Sequence, residues 1–431
     1  MGFKIGNIRI TPKNLIWFIL ILTLFMNILS DSIGLPTAIR YLNDLAVIAL
    51  LVFMIAQRNF FLKVKQLHLN GVASAMCLYT LVNIASVLLN GGNPALILWA
   101  TRNTYRFFVF YFACVFYLDK SDLEKFFSFC YKAQWVNLVL VLHQFFVLGL
   151  KQDFLGGIFG YGGNAGLLIY SVLIVAYAMT KFMRKEYPTG KFLFIFISAT
   201  LCSVLAELRV YFFFVAFIFA VNLVQNSNWT RKLGIAIIGG LLLIIGLQVY
   251  ASVFPYVDLS IASILKEGKS HGGGYNISRL NAFHDINQIF FRNDVISNLF
   301  GYGFGNCEYS TIPMFTSAFH DRFGEYHYRW FSHQWIFLES GYLGVISYLA
   351  ILFSIAVHAF RTGSASYKSA TLICEIMTVI AVVSFFYNSL LKADFGYIAF
   401  FAMAISGIMY KSQKSSDAEE KRIRQGDGQR Q

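Results

Sequence analysis

Long apolar runs recur along the whole chain, and they limit its possible folds more than any other feature. Each run holds about 17–25 residues, enough for a helix to cross a hydrocarbon core of about 30 Å. A helix is favoured there because it satisfies its own backbone hydrogen bonds where no water is present. With 57% hydrophobic and 13% charged residues, the composition also excludes an ordinary soluble domain. The sequence therefore predicts an all-α polytopic membrane protein.

The apolar runs predict about twelve transmembrane helices, with one long outer loop between the ninth and the tenth; the resemblance given below makes this loop periplasmic. Residues 1–254 hold helices one to nine, and residues 333–410 hold helices ten to twelve. Residues 255–332 form the loop. Residues 411–431 are charged and contain no apolar run, so we expect them to be a disordered cytoplasmic tail.

Lysine and arginine are concentrated in the short connections between the apolar runs, and they give the chain its net charge of +13. By the positive-inside rule, such connections stay in the cytoplasm. Every basic connection falls on the same side of the predicted bundle, which makes both termini cytoplasmic. The sequence thus indicates a multi-pass membrane protein, and its basic charge requires no nucleic-acid partner; a location in the bacterial inner membrane is what the family resemblance given below implies.

One long polar stretch, residues 278–348, interrupts this apolar chain. It contains a glycine turn at residues 299–305 and a group of charged and titratable side chains. These are Arg279, His284, His320, His327 and His333. The histidine spacing matches no zinc motif, so we expect no metal site. We expect the chemistry of the protein to lie in this stretch.

Two arginines lie within the predicted fourth helix. Arg102 and Arg106 are four residues apart and therefore share one helix face. A charged group at such depth costs several kcal/mol unless it is paired or hydrated, which makes it a candidate for function. Two interpretations stay open: the pair binds an anionic ligand, or the side chains reach outward or bond to helix carbonyls.

Arg209 and Arg279 are expected on the outer face. Arg209 follows Glu207 at the outer end of helix seven, and Arg279 lies near the start of the polar stretch. Each would be an ordinary interfacial arginine by itself. A planar guanidinium nevertheless suits a diphosphate, because it can donate two parallel hydrogen bonds.

His333 lies where the long loop meets helix ten. Its usual pKa near 6.5 suits a general base at neutral pH. The alternative is a polar residue that caps the helix at the interface. Glu339 follows six residues later, about 240° around the helix, so it is not expected to orient the imidazole. We expect Glu339 to make a structural hydrogen bond.

Three short motifs together resemble the bacterial O-antigen polymerase and O-antigen ligase family. They are Leu208-Arg209 before the run that starts at Val210, Ser278-Arg279 with residues 300–303, and residues 333–344. The motifs that carry the similarity lie within residues 207–353. The predicted arrangement of helices resembles that of the family over the whole chain. The chain departs from the family pattern at Gln334, where asparagine is common, and around Arg209, which lacks the usual threonine and serine.

The resemblance implies a periplasmic polymerase of O-antigen or another surface polysaccharide, and thus a role in lipopolysaccharide synthesis. Its substrates would be oligosaccharides linked to undecaprenyl diphosphate, held in the membrane lipid, and a chain-length regulator would be a partner. His333 would act as the base. Arg209 and Arg279, with Arg102 and Arg106, would bind the diphosphate. No metal or cofactor is implied, because the lipid diphosphate is itself the leaving group.

Two other functions fit the same sequence. An O-antigen ligase would use the same donor but transfer the glycan to lipid A core. A flippase for lipid-linked oligosaccharides would also explain arginines within the membrane. The long outer loop favours transfer over transport.

Overall fold

A computed structural model describes residues 3–5, 8–225, 239–240, 244–256, 258, 261–269 and 277–427. A short antiparallel pair of strands, β1 (Phe3–Ile5) and β2 (Ile8–Ile10), precedes the first helix. The rest of the described chain consists of helices and their connections. The helices are α1 Pro12–Ile33, α2 Tyr41–Ala56, α3 Phe60–Gln66, α4 Asn70–Asn90, α5 Pro94–Tyr117, α6 Lys120–Phe146, α7 Asn164–Met183, α8 Thr189–Leu205, α9 Arg209–Gln225, α10 Ile244–Val253, α11 Ile261–Lys269, α12 Ala282–Ile286, α13 Val295–Phe300, α14 Ala318–Phe323, α15 Ser332–Thr362, α16 Lys368–Tyr387 and α17 Gly396–Asp427.

The helical class predicted from the sequence is confirmed. Six helical segments among the described residues are long and apolar enough to cross a membrane: α1, α2 with the turn before it, α4, α7, α15, and α16 with the turn before it. Helices α8, α9 and α10 are apolar but shorter. The chain therefore has the character of a membrane-spanning protein.

Local signals at the helix ends explain where several helices begin. Helix α1 starts with Pro12 after Thr11, whose side chain accepts a hydrogen bond from the backbone N–H of Asn14. Helix α6 starts with a capping box, in which Asp119 and Asp122 each accept a backbone N–H from the other. These caps satisfy amides that the first turn of a helix leaves free.

The centre of the bundle consists of α4, α5, α7, α15, α16 and α17, which pack against one another; α7 and α16 bury most of their residues, and α4 buries about a third of its own. Helix α2 lies at the edge and exposes an apolar stripe that includes Leu45, Ile48 and Ile55. Such a stripe would cause aggregation in water, but it suits contact with lipid chains.

Helix α15 is broken at Gly341, where φ is +61° and ψ is −162°. The glycine turn that follows α13 fits against this break. The backbone N–H groups of Tyr302 and Gly303 donate to the carbonyls of Leu338 and Glu339, at 2.8 and 3.2 Å. A Cβ atom on Gly301 would lie 2.4 Å from the backbone nitrogen of Ser340. The close contact of the two backbones therefore requires glycine.

Helix α4 fixes the same junction from a third side. The Ser86 hydroxyl lies 2.8 Å from the carbonyl oxygen of Glu339 and 2.5 Å from that of Phe300. The Asn90 side chain donates to the carbonyl of Gly301 at 3.1 Å. The glycine turn, the break in α15 and the C-terminal end of α4 thus form one hydrogen-bonded unit.

The structure differs from the prediction for the chain after Lys411. Residues 411–427 continue α17 as a helix, whereas the sequence predicts disorder. Lys411 donates to the carbonyls of Phe116 and Leu118 at the end of α5, and Lys414 donates to Gln66 at 2.9 Å. Free carbonyls at helix C-termini attract such cations, and these contacts hold the first turn of the extension.

Gly341→Ala is expected to lower the free energy of unfolding by about 1–3 kcal/mol, because alanine resists a positive φ. The new Cβ would also lie 2.3 Å from the carbonyl carbon of Leu299. Thermal unfolding of the purified protein in detergent measures the change. Gly190→Ala is the control, because Gly190 is helical and a Cβ there meets nothing within 4 Å. Equal melting temperatures for the two variants would contradict this account of the break.

Candidate functional site

Arg209 and Arg279 line one cavity of about 270 Å³. Arg209 is the first residue of α9, and Arg279 lies in the turn before α12. The wall is polar on most sides. The other lining residues are Gln152, Asp153, Asn164, Ala165, Leu168, Ala206, Glu207, Leu208, Tyr387 and Asn388. The structure thus brings together two arginines that are 70 residues apart in sequence.

The Arg279 guanidinium lies between two aromatic rings. Its central carbon is 4.3 Å from the ring centroid of Tyr387 and 4.8 Å from that of Phe331. Its Nε atom is buried without a hydrogen-bond partner, and no described carboxylate forms an ion pair with it. Cation–π contacts of this kind orient a guanidinium without neutralising it. Arg279 therefore presents an unmatched positive charge to the cavity.

Arg209 is paired within the same cavity. Its guanidinium lies 3.1 Å from a carboxylate oxygen of Glu207. The other oxygen of Glu207 accepts a hydrogen bond from the Tyr256 hydroxyl at 3.3 Å. Glu207 also has a φ of +55°, which is uncommon for a residue with a side chain. Backbone strain of this kind is found preferentially at functional sites.

His333 lies beside the cavity but does not line it. Its side chain is buried, with 1% of its surface exposed. Its Nδ1 atom is 3.3 Å from the carbonyl oxygen of Phe385 and therefore donates to it. The ring also lies near the backbone of Arg279. The imidazole thus supports the turn that carries Arg279 and has no open path to the cavity.

Arg102 and Arg106 are not part of this cavity. Arg102 pairs with Asp44 at 2.6 Å, and Arg106 pairs with Asp394 at 2.6 Å and with Asp44 at 3.3 Å. Two arginines and two aspartates therefore balance one another. The sequence analysis expected these arginines to bind an anionic ligand, or to reach outward or bond to helix carbonyls. It did not expect ion pairs with aspartates. The predicted set of four diphosphate-binding arginines is divided into two separate pairs.

A second buried ion cluster surrounds Lys392, which the sequence analysis did not identify. Its Nζ atom lies 3.3 Å from Glu308 and 3.2 Å from Glu339, and all three side chains are at most 1% exposed. Asn103 donates to Glu308 at 2.7 Å. Glu339 also accepts the backbone N–H of Gly305 at 3.2 Å. The structural role predicted for Glu339 agrees with these contacts.

The connection between α16 and α17, residues 388–395, contributes to the cavity, to the Lys392 ion cluster and to the ion pairs of Arg106. Asn388 lines the cavity, Lys392 joins the two glutamates, and Asp394 joins Arg106. The carbonyl of Asn388 also accepts the backbone N–H and the hydroxyl of Ser332. Lys392 and Asp394 are charged residues within an apolar stretch, and that signal in the sequence could have identified them.

The other histidines of the long loop have different surroundings. Burial, with the nearby Arg329, lowers the pKa of His320 below its usual value, so its ring stays neutral at pH 7. Its Nδ1 atom lies 3.2 Å from the Tyr328 hydroxyl. Within the described ranges, no three side chains of the metal-binding types gather into one site.

Comparisons of the sequence with known proteins identify no relative. No protein-family model matches the chain, and no curated protein matches it in sequence. Its function therefore has to be inferred from the site residues and from the motif resemblance.

Lys392→Met is expected to reduce the free energy of unfolding by about 3–5 kcal/mol, because it leaves two buried carboxylates without their cation. Adding Glu339→Gln should recover part of the loss, since one of those charges is then removed. Thermal unfolding in detergent and the yield of folded protein measure both effects. Lys65→Met, at an exposed position, is the control. Additive effects of the two substitutions would show that the cluster is not held by charge.

Proposed function

We propose that the protein is a polysaccharide polymerase that joins undecaprenyl-diphosphate-linked repeat units at the periplasmic face of the inner membrane. The observation that carries the proposal is the unmatched guanidinium of Arg279, which shares an open polar cavity with Arg209. An anionic ligand would pair with the guanidinium of Arg279, which forms no ion pair with a described carboxylate although Asp153 and Glu207 also line the cavity. The lipid diphosphate implied by the motif resemblance is an anion of that kind.

The proposed topology has twelve spans with both termini in the cytoplasm. It adds α5, α6, α8, α9, α10 and α17 to the six long apolar segments. The cavity lies at the helix ends opposite the basic connections, such as that around Lys181, Arg184 and Lys185. The positive-inside rule then assigns the cavity to the periplasm.

The two arginines have different proposed tasks. Arg279 has free donors and a fixed plane, so it would bind the diphosphate with paired hydrogen bonds. Arg209 would add a second positive charge while it keeps its contact with Glu207. Both charges would stabilise the negative charge that grows on the diphosphate as it leaves. The amides of Gln152, Asn164 and Asn388 offer hydrogen bonds to sugar hydroxyls.

The geometry favours Glu207 over His333 as the group that takes the proton. Glu207 lines the same cavity as both arginines, whereas the His333 ring is enclosed and bonded to backbone. In the proposed step, a hydroxyl of the acceptor gives its proton to Glu207, and its oxygen attacks the anomeric carbon of the donor. The bond from that carbon to the diphosphate breaks, and its electron pair leaves with the undecaprenyl diphosphate. His333 then has a positioning role through the backbone of Arg279.

Reconstitution of the purified protein with a lipid-linked repeat unit tests the proposed function. A ladder of chain lengths is the expected product. Transfer only to added lipid A core would indicate a ligase instead. A change in the leaflet of the lipid without new glycosidic bonds would indicate a transporter.

Arg279→Ala is expected to abolish the ladder, and Arg279→Lys should reduce it strongly, because an ammonium cannot make paired contacts to the diphosphate. The measurement is chain length on gels at equal amounts of protein in the membrane. Arg322→Ala is a matched control, since Arg322 is an exposed arginine of the same loop and does not line the cavity. Normal polymer from Arg279→Ala would exclude the proposed diphosphate site.

Glu207→Gln is expected to slow polymerisation by about 100-fold or more, the usual contribution of a general base. Binding of the lipid-linked donor should persist, since both arginines remain. His333→Gln should retain more activity than Glu207→Gln, because it removes no group from the cavity. Single-turnover transfer and donor binding, measured separately, distinguish the two roles. If His333→Gln is inactive and Glu207→Gln is active, the assignment of the base is reversed.

A further inference from the structure

A second and larger cavity, of about 500 Å³, lies at the opposite end of the bundle. It is enclosed by the start of α4, the last third of α15 and one residue of α17. Its lining residues are His68, Asn70, Gly71, Val72, Phe353, Ser354, Val357, His358, Arg361, Thr362 and Tyr410. The proposed polymerase reaction uses none of these residues.

No acidic residue lines this cavity. Arg361 is exposed at its mouth, and none of the described carboxylates forms an ion pair with it. The cavity of Arg209, by contrast, contains Asp153 and Glu207, and the one between α6 and α16 contains Glu124 and Glu186. A cavity with a cation and no carboxylate favours a negatively charged ligand.

One wall of the cavity is apolar and continues onto the outer surface of α15. Phe353 and Val357 line it, and Phe353 is 70% exposed. Phe353 precedes Arg361 by eight residues, which corresponds to about 12 Å along a helix. A ligand that spans the cavity would thus meet a positive charge at one end and apolar surface at the other.

The inner wall is held in place by hydrogen bonds and ring contacts. The Nε2 atom of His358 donates to the carbonyl of Leu67 at 2.9 Å. The ring of Tyr410 lies 5.8 Å from that of His68 and 6.5 Å from that of His358. His68 has a φ of +55°, which turns the chain from α3 into α4 beside Arg361. The cavity is therefore part of the packed structure.

The position of the cavity indicates which leaflet it would face. It lies at the end of the bundle that carries Arg58, Lys63 and Lys65. The positive-inside rule makes this end cytoplasmic. The cytoplasmic leaflet is rich in anionic lipids, and basic pockets between transmembrane helices on that side bind their headgroups.

We propose that this cavity binds an anionic phospholipid of the inner leaflet. The phosphate lies at Arg361 and His68, and an acyl chain follows Phe353 and Val357 toward the centre of the bilayer. The ligand is a lipid rather than free phosphate, because half of the site is an apolar wall that faces the membrane. The site is separate from the proposed catalytic cavity and does not depend on its function.

Lipid retention by the purified full-length protein tests the proposal. The protein is delipidated in detergent, incubated with phosphatidylglycerol or phosphatidylcholine, and examined by native mass spectrometry. We expect selective retention of phosphatidylglycerol, and a loss of about tenfold in Arg361→Gln, which removes a charge-assisted hydrogen bond. Lys65→Gln, an exposed cation of the same end outside the cavity, is the control and should retain lipid normally.

A second variant tests the apolar half of the site. Val357→Trp would fill the wall and should reduce lipid retention while the protein keeps its melting temperature without lipid. Equal retention of the two lipids, or equal loss in Arg361→Gln and Lys65→Gln, would overturn the proposal. Complete displacement of the lipid by millimolar inorganic phosphate would also overturn it and indicate a phosphate site instead.

Discussion

A charge that is buried among apolar helices must be matched by an opposite charge, and this constraint governs one end of the bundle. The connection between α16 and α17 provides a cation and an anion two residues apart. Lys392 turns toward Glu308 and Glu339, and Asp394 turns toward Arg106. These contacts join α5, α15 and the long loop to the connection between α16 and α17. The loop is therefore bound to the helices by ion pairs as well as by apolar packing.

The four arginines that the sequence indicated as candidates show that residue type alone does not determine the role of a side chain. All four are suited to phosphate by chemistry, but their surroundings differ. Arg102 and Arg106 meet carboxylates and become part of the structure. Arg279 meets aromatic rings, which orient it and leave its charge available. Arg209 pairs with Glu207 but lies at the cavity, so both charge pairing and position separate the structural arginines from the candidate binding residues.

Hydropathy was sufficient to predict the helical class and the presence of long apolar helices, because a bilayer requires long apolar segments. Arg209 and Arg279, which the motif resemblance singles out, line one cavity although they are 70 residues apart in sequence. The partners of Arg106 could not be predicted, since Asp44 and Asp394 are 62 and 288 residues away. No local pattern encodes such pairing. The burial of His333 was missed for the same reason, because it depends on the backbone of α16.

The tight junction at Gly301 and Gly341 changes how the long loop should behave in solution. Three loop amides, those of Tyr302, Gly303 and Gly305, donate to atoms of α15. Their exchange with deuterated water requires that these backbone contacts separate, and such separation disrupts the core. These amides of the loop are therefore expected to exchange as slowly as those of a central helix. The loop cannot lift away as a lid at this point, so any ligand of the cavity must reach it by another route.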